Sequence, residues 1–257
     1  MIHAHFHLPS HAWDAEGLRL TGDEARHCAQ VTRHKAGDTV VLFDGAGRKA
    51  EARIEVLGKE EVLLTLIDEQ QMPPPSHPVT LVQAVTKGDT FERIIEKAVE
   101  LGVQRIIPVI TERTIVRLEA REAAKKHQKW QRLVLEACKQ CGQAWVPEIL
   151  MPGTLEAALE HTAGVSTKLV ASLHPQAAPL RALWPPAAVM QEAAGFAVMI
   201  GPEGDLSGRE HAQMEAQGWH AWSLGPLVLR SETAAVCALS ILSYELHSST
   251  HPPSNAR

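Results

Sequence analysis

The stretch Gln70-Gln71-Met72-Pro73-Pro74-Pro75-Ser76-His77-Pro78 carries four prolines within six residues. Each proline fixes φ and removes a backbone donor, so neither a sheet nor a helix continues through the run, and it reads as a stiff linker. The character of the chain changes there. Residues 1–70 read as an all-β module, residues 71–78 as the linker, and residues 79–248 as alternating strands and helices. With 257 residues in all, either part is long enough to hold its own core.

In the first part, Thr39-Val40-Val41-Leu42-Phe43 and Ala50-Glu51-Ala52-Arg53-Ile54-Glu55-Val56 flank Asp44-Gly45-Ala46-Gly47. Val62-Leu63-Leu64-Thr65-Leu66-Ile67 follows a Gly58-Lys59-Glu60-Glu61 turn, so these segments predict hairpins. Gly45 to Ala50 matches a dinucleotide-binding fingerprint in form, but it lies between two strands with no helix after it, and that reading fails. His3, His5 and His7 alternate with Ala4 and Phe6. Exposure on one strand face explains them better than a metal site, because no carboxylate or cysteine cluster supports one. Ala25 to Asp38 is a basic segment inside an acidic chain, read by pattern alone as a solvated helix face and turn.

In the second part, strand-like runs at Val79–Val85, Val103–Ile110, Lys168–Leu173, Phe196–Ile200 and Ala221–Leu224 alternate with helical periodicity, which predicts a mainly parallel sheet. Phe91, Ile94, Ile95, Ala98 and Val99 mark the buried stripe of the first helix, Asp89 with Glu92 has capping-box spacing, and Gly102 ends it. A helix from about Glu119 to Gln140 is amphipathic, with lysines and arginines on its wet face. Three strand ends enter loops that suit a ligand. Ile200-Gly201-Pro202-Glu203-Gly204-Asp205-Leu206 leads to Ser207 and Glu210, whose S-x-x-E spacing opens the next helix. Leu224-Gly225-Pro226-Leu227-Val228-Leu229 leads to Arg230, Ser231, Glu232, Thr233 and Ala234, and Ser172-Leu173-His174-Pro175 forms a third wall. In open α/β sheets such loops converge at the carboxyl edge, where ligands bind.

Composition narrows the class. No apolar run approaches the roughly eighteen residues of a membrane helix, and the N-terminus lacks a basic-then-apolar signal pattern, so a cytoplasmic protein is expected. Cys138-Lys139-Gln140-Cys141 has C-x-x-C spacing. With no second pair and a helical flanking pattern, structural cysteines are the better reading than redox or zinc chemistry. The net charge of -5 argues mildly against nucleic acid, although a total does not exclude a basic patch.

G-P-E-G at Gly201–Gly204, followed by the L-G-x-x-x-L-R-x-E-T-A run from Leu224 to Ala234, resembles the signature of one SPOUT-superfamily group. This is the small-subunit ribosomal RNA methyltransferase E family, which makes 3-methyluridine. Lys87-Gly88-Asp89, Glu96 to Val103, Glu112 to Val116 and Trp130 to Gly142 are similar to further segments of it, and Ala25 to Asp38 resembles a run in its N-terminal PUA-like RNA-binding module. The resemblance implies a PUA-like β-barrel, an α/β SPOUT domain with a deep trefoil knot, and a homodimer. It implies S-adenosyl-L-methionine as cofactor, no metal, and small-subunit ribosomal RNA as partner.

The cofactor loops would then supply Ser172, Leu173, His174, Ile200, Gly201, Pro202, Gly204, Leu224, Gly225, Leu229, Ser231, Thr233 and Ala234. Arg230, Glu203 and Glu232 are the catalytic candidates, and Arg26, Arg33, Lys35, Arg48, Lys49, Lys87 and Arg113 the RNA-phosphate candidates. Two positions depart from the family. Asp205 stands where it usually has a second glycine, and Gln143 where it tends to carry arginine. A transfer RNA methyltransferase of the same fold and a non-catalytic RNA-binding assembly factor are the alternatives.

Overall fold

The computed structural model describes residues 4–13, 17–186, 190 and 195–248. His3 and the tail 249–257, expected to be disordered, lie outside the described residues. The chain divides into two compact units, one of Met1–Pro74 with Leu135–Val146, the other of Pro75–Val134 with Pro147–Arg257.

The first unit contains β1 (His5–His7), β2 (Leu18–Thr21), the short helix α1 (Gly22–Arg26), β3 (Thr39–Phe43), β4 (Arg48–Leu57) and β5 (Glu61–Gln71). Strand order is β1-β3-β4-β5-β2. The hairpins β3–β4 and β4–β5 are those expected, whereas β1 joins β3 in parallel and β2 joins β5 across some forty residues of sequence. The expected closed β-barrel is corrected to an open five-stranded sheet. No pair among the described residues closes β1 onto β2, and these edge strands have only three and four residues. Phe6, Leu20, Leu42, Ile54 and Val62 are buried at its centre. His5 and His7 are half-buried rather than exposed, the ring of His7 lying 5.4 Å from that of Phe43.

Leu135–Val146, within the span 79–248, packs with the first unit. There Trp145 bridges Gly45 and Ala46, and its Nε1 donates to the carbonyl of Pro73 at 3.1 Å. Lys139 is buried and pairs with Glu24 at 2.5 Å and Glu136 at 2.7 Å. Neither tie has a local sequence signature.

The second unit runs β6 (Val79–Ala84), α2 (Thr90–Glu100), β7 (Arg105–Ile110), α3 (Ala120–Cys141, whose end belongs to the first unit), β8 (Glu148–Ile149), β9 (Gly153–Thr154), α4 (Leu155–His161) and β10 (Thr167–Ala171). It continues through α5 (Leu180–Leu183), β11 (Phe196–Ile200), α6 (Gly208–Ala216), β12 (Trp219–Trp222) and α7 (Ser231–Ser248). All pairings are parallel, in the order β12-β10-β11-β6-β7-β8 with β9 also on β7. Every residue of β6 and β11 is buried, which is why β11 reads as an unbroken apolar run and β6 as one interrupted only by Thr80 and Gln83.

Helix α2 buries the predicted stripe of Phe91, Ile94, Ile95, Ala98 and Val99, and Gly102 closes it at φ 83°. Its capping box does not form. Asp89 pairs instead with Arg93 at 2.9 Å and Glu92 with Lys129 at 2.5 Å, so tertiary and i,i+4 ion pairs took both carboxylates. The capping box of α6 does form, between Ser207 and Glu210.

Candidate active site

Strands β12, β10 and β11 are neighbours and run in the same direction, so their carboxyl ends bring three loops together. They enclose a cavity of about 280 Å³. That is near the lower end of the range for small-molecule sites, roughly 300–1,000 Å³.

The loop after β11 is held from both sides. Arg113 Nη1 donates to the carbonyls of Gly204 at 3.0 Å and Leu206 at 3.4 Å. Buried Glu210 accepts the backbone N–H of Ser207 at 2.8 Å and that of Glu112 at 2.9 Å, tying the loop after β7 to the loop after β11. The residue at positive φ is Asp205, at 59°, and neither Gly201 nor Gly204 adopts that region. Asp tolerates it because its side chain bonds locally, and here Oδ1 accepts the N–H of Leu206 at 2.7 Å. The His211 imidazole, 3.8 Å from Oδ1, together with the N–H of Leu206, holds the Asp205 carboxyl below the ordinary range against the opposing effect of partial burial.

In the loop after β12, Gly225 has φ 117°, a conformation that Cβ-bearing residues rarely adopt. Leu227 and Val228 are 73 % and 82 % exposed at the cavity mouth. Ser231, which opens α7, is buried. Its hydroxyl donates to Gly201 O at 3.0 Å and accepts from Gln83 Nε2 at 2.9 Å, so it joins β6, the β11 loop and the last helix. In the third loop Ser172 N donates to Trp222 O at 3.0 Å, and Ser172 Oγ accepts from His174 N at 3.1 Å.

Of the expected cofactor residues, Ser172, Leu173, Ile200, Gly201, Pro202, Leu224, Gly225, Leu229, Ser231 and Ala234 line the cavity, as do Glu203 and Arg230. His174, Gly204, Thr233 and Glu232 are not among the lining residues. Sequence reasoning missed Ala171, Leu227 and Val228, and it treated Asp205 only as a departure. The first three occupy the same strand ends and loops, so a wider window on the two motifs would have found them. Gln83 lies near the carboxyl end of β6, outside both motifs, and has no such signal.

The RNA-phosphate candidates divide. Arg48 forms a two-point pair with Glu69 at 2.8 and 2.9 Å and sits 4.3 Å from the Trp13 ring, Lys49 donates to Gly142 O at 3.5 Å, and Arg113 clamps the β11 loop. Arg26, Arg33, Lys35 and Lys87 are exposed, Arg33 at φ 56°. Burial pushes the Cys138 thiol up to about 12 and the Cys28 thiol to about 11, far from the range of a reactive thiolate. Among the described residues no group of three or more His, Cys, Asp or Glu is arranged to hold a metal ion, and no helix is long and apolar enough to cross a membrane.

Residues 73–243 match the RNA methyltransferase domain family and residues 20–67 the RNA methyltransferase PUA domain, so the fold and site are those of an RNA methyltransferase. A relative from Aquifex aeolicus, ribosomal RNA small subunit methyltransferase E, is 32% identical over 88% of this chain and 93% of its own. The crystal structure of the enzyme of that name from Neisseria gonorrhoeae, bound to S-adenosyl methionine, superimposes with a TM-score of 0.83 at 31% identity, covering 95% of this chain and 98% of that one. A putative methyltransferase from Legionella pneumophila, in complex with the same cofactor, gives 0.84 at 31% identity with the same coverage. The chain belongs to the ribosomal RNA small subunit methyltransferase E family.

Proposed function

We propose that this chain is a cytoplasmic enzyme that transfers a methyl group from S-adenosylmethionine to N3 of a specific uridine in small-subunit ribosomal RNA. The observation that carries the reading is the convergence of three carboxyl-edge loops on one cavity with Arg230 and Glu203 among its lining residues. The residues present fit the cofactor. Ala171, Gly201 and Gly225 bring main chain with little side-chain bulk to the cavity, which suits close approach of adenine and ribose, and Leu173, Ile200, Leu224 and Leu229 supply apolar lining. Bound there, the cofactor supplies a methyl group already activated on a sulfonium, so no metal is required. The protein's work is alignment, which contributes roughly 7–11 kcal/mol in well-oriented reactions.

Uracil N3 must lose its proton, and the ring then carries negative charge on its two carbonyl oxygens. Arg230 stabilises that charge as a cationic donor. Glu203 lines the cavity and Glu232 does not, which favours Glu203 as the group that takes or orients the proton. Arg26, Arg33, Lys35 and Lys87, exposed in the structure, are the proposed phosphate contacts outside the cavity.

Two architectural features accompany the reading. A deep trefoil knot in the second unit is what the family resemblance implies, and Ser231 would hold the start of α7 against Gly201 and Gln83 within it. An experimental chain trace in which the segment before α7 passes outside the β11 loop would remove it. A homodimer is supported by α7, which buries Ala235, Ala238, Leu239 and Leu242 on one side and leaves Tyr244 70 % exposed on another.

The test of function is incubation with labelled S-adenosylmethionine and, in parallel, small ribosomal subunits and bulk transfer RNA lacking the modification, followed by nucleoside mass spectrometry. The expected product is 3-methyluridine from the ribosomal subunits alone. Label in transfer RNA moves the substrate, and no transfer despite cofactor binding overturns the enzymatic reading.

A further inference from the structure

Helix α3 carries a surface that the cavity does not explain. Between Arg117 and Arg132 the sequence places six lysines and arginines against two glutamates, in a chain of net charge -5. Ala123, Trp130 and Val134 form the buried face of the helix. Arg121, Lys125 and Arg132, at i, i+4 and i+11, share the opposite face, and all three are exposed. Gln128 is the remaining residue of that stripe, which contains no carboxylate. Lys129, to one side, is taken by Glu92, and Arg117 Nη1 donates to the carbonyl of Thr114 at 2.5 Å. Among the described residues no ion pair engages Arg121, Lys125 or Arg132.

The placement is unfavourable for the helix alone. Arg121 sits in the first turn, where the helix dipole disfavours a cation, and Arg121 with Lys125 is a like-charge i,i+4 pair. Both penalties are relieved by an anionic partner spread along the helix, and the stripe from Arg121 to Arg132 spans about 17 Å at 1.5 Å per residue. The stripe also follows the site closely along the chain. Arg113, which clamps Gly204 and Leu206 of the cavity loop, lies eight residues before Arg121 on the segment that leads into α3.

We infer that the exposed face of α3 formed by Arg121, Lys125 and Arg132 is a contact surface for the sugar-phosphate backbone of the substrate RNA, separate from the candidates in the first unit. The inference rests on the reading of the chain as an enzyme acting on RNA. Such contacts position the RNA without reading its sequence.

The test is the full-length triple variant R121E/K125E/R132E, with R181E as a control on another exposed arginine of the same unit. Because the triple variant keeps a like-charge i,i+4 pair at 121 and 125, its helical content and thermal midpoint are compared with the parent's by circular dichroism, and binding is interpreted at matched fold. Binding to purified small-subunit ribosomal RNA is measured across a salt series, alongside cofactor binding by calorimetry and methyl transfer to small ribosomal subunits. The expected result for the triple variant is affinity at least about tenfold weaker and a log–log salt slope shallower by about 2, at roughly 0.7 for each phosphate no longer neutralised. Cofactor affinity stays unchanged, and R181E behaves as the parent. Parental RNA affinity and slope in the triple variant, with methyl transfer intact, overturn the surface while leaving the enzymatic reading in place. An equal loss in R181E also overturns it, as a general charge effect. A parent protein that neither binds nor methylates the RNA overturns the enzymatic reading and this surface with it.

Discussion

Arg230 and Glu203 are exposed side chains at the ends of different loops, and only the order of the parallel strands brings them to one cavity. If Arg230 acts on charge that develops during reaction, Arg230→Ala removes turnover, a fall of at least about 100-fold, while cofactor affinity stays nearly intact. Single-turnover kinetics with calorimetry check this, and normal turnover would sink the assignment. Asp205 has a different role, because its carboxylate accepts from Leu206 N and lies 3.8 Å from the His211 imidazole. A carboxyl held below its unfolded value contributes stability that is present above about pH 4 and lost as pH falls through the lowered folded value. Asp205→Asn is therefore expected to lower the thermal midpoint at neutral pH, with the difference from the parent shrinking as the midpoint is followed down to about pH 3. That Asp could occupy a left-handed turn was legible in the sequence, since its side chain bonds locally. Its partners Arg113 and His211 were not, because they meet it only through the fold.

The elements themselves were legible where burial is two-sided. β6 and β11 are apolar at nearly every position and stand where the runs predicted them, whereas β12 spans Trp219–Trp222 rather than Ala221–Leu224. Its His220 is exposed and its flanks are irregular, so the apolar run that marks a central strand is absent. α6 illustrates how an element end serves the site. Glu210 satisfies one N–H of its own helix and one of the β7 loop, two bonds that a local motif shows only by half. Glu210→Ala removes the carboxylate half of the capping box and strands both donors, an expected loss of about 2 kcal/mol. In a domain of this size that is a thermal midpoint lower by roughly 4–8 °C, measurable by calorimetry. A midpoint unchanged in the variant would show that the loops do not depend on this carboxylate.

For the whole molecule, the two compact units part at Pro74–Pro75, inside the proline run, and again on either side of Leu135–Val146. Long-range closure is the part that sequence patterns carry least, and the open sheet of the first unit, with its parallel β1, shows this as well. Assembly beyond one chain is tested by α7. Sedimentation is expected to give about twice the chain mass of 28.1 kDa, and Tyr244→Glu to shift the protein toward the monomer. A parent that sediments at the chain mass removes the dimer. The division of the chain also bears on its synthesis. Because Leu135–Val146 completes the first unit, Met1–Pro74 leaves the ribosome without its Trp145 strap or its buried Lys139 partner. That unit must wait for another seventy or so residues to be translated before it can close, several seconds at about 5–20 residues per second. During this interval the nascent N-terminal sheet is the segment most open to chaperones and proteases.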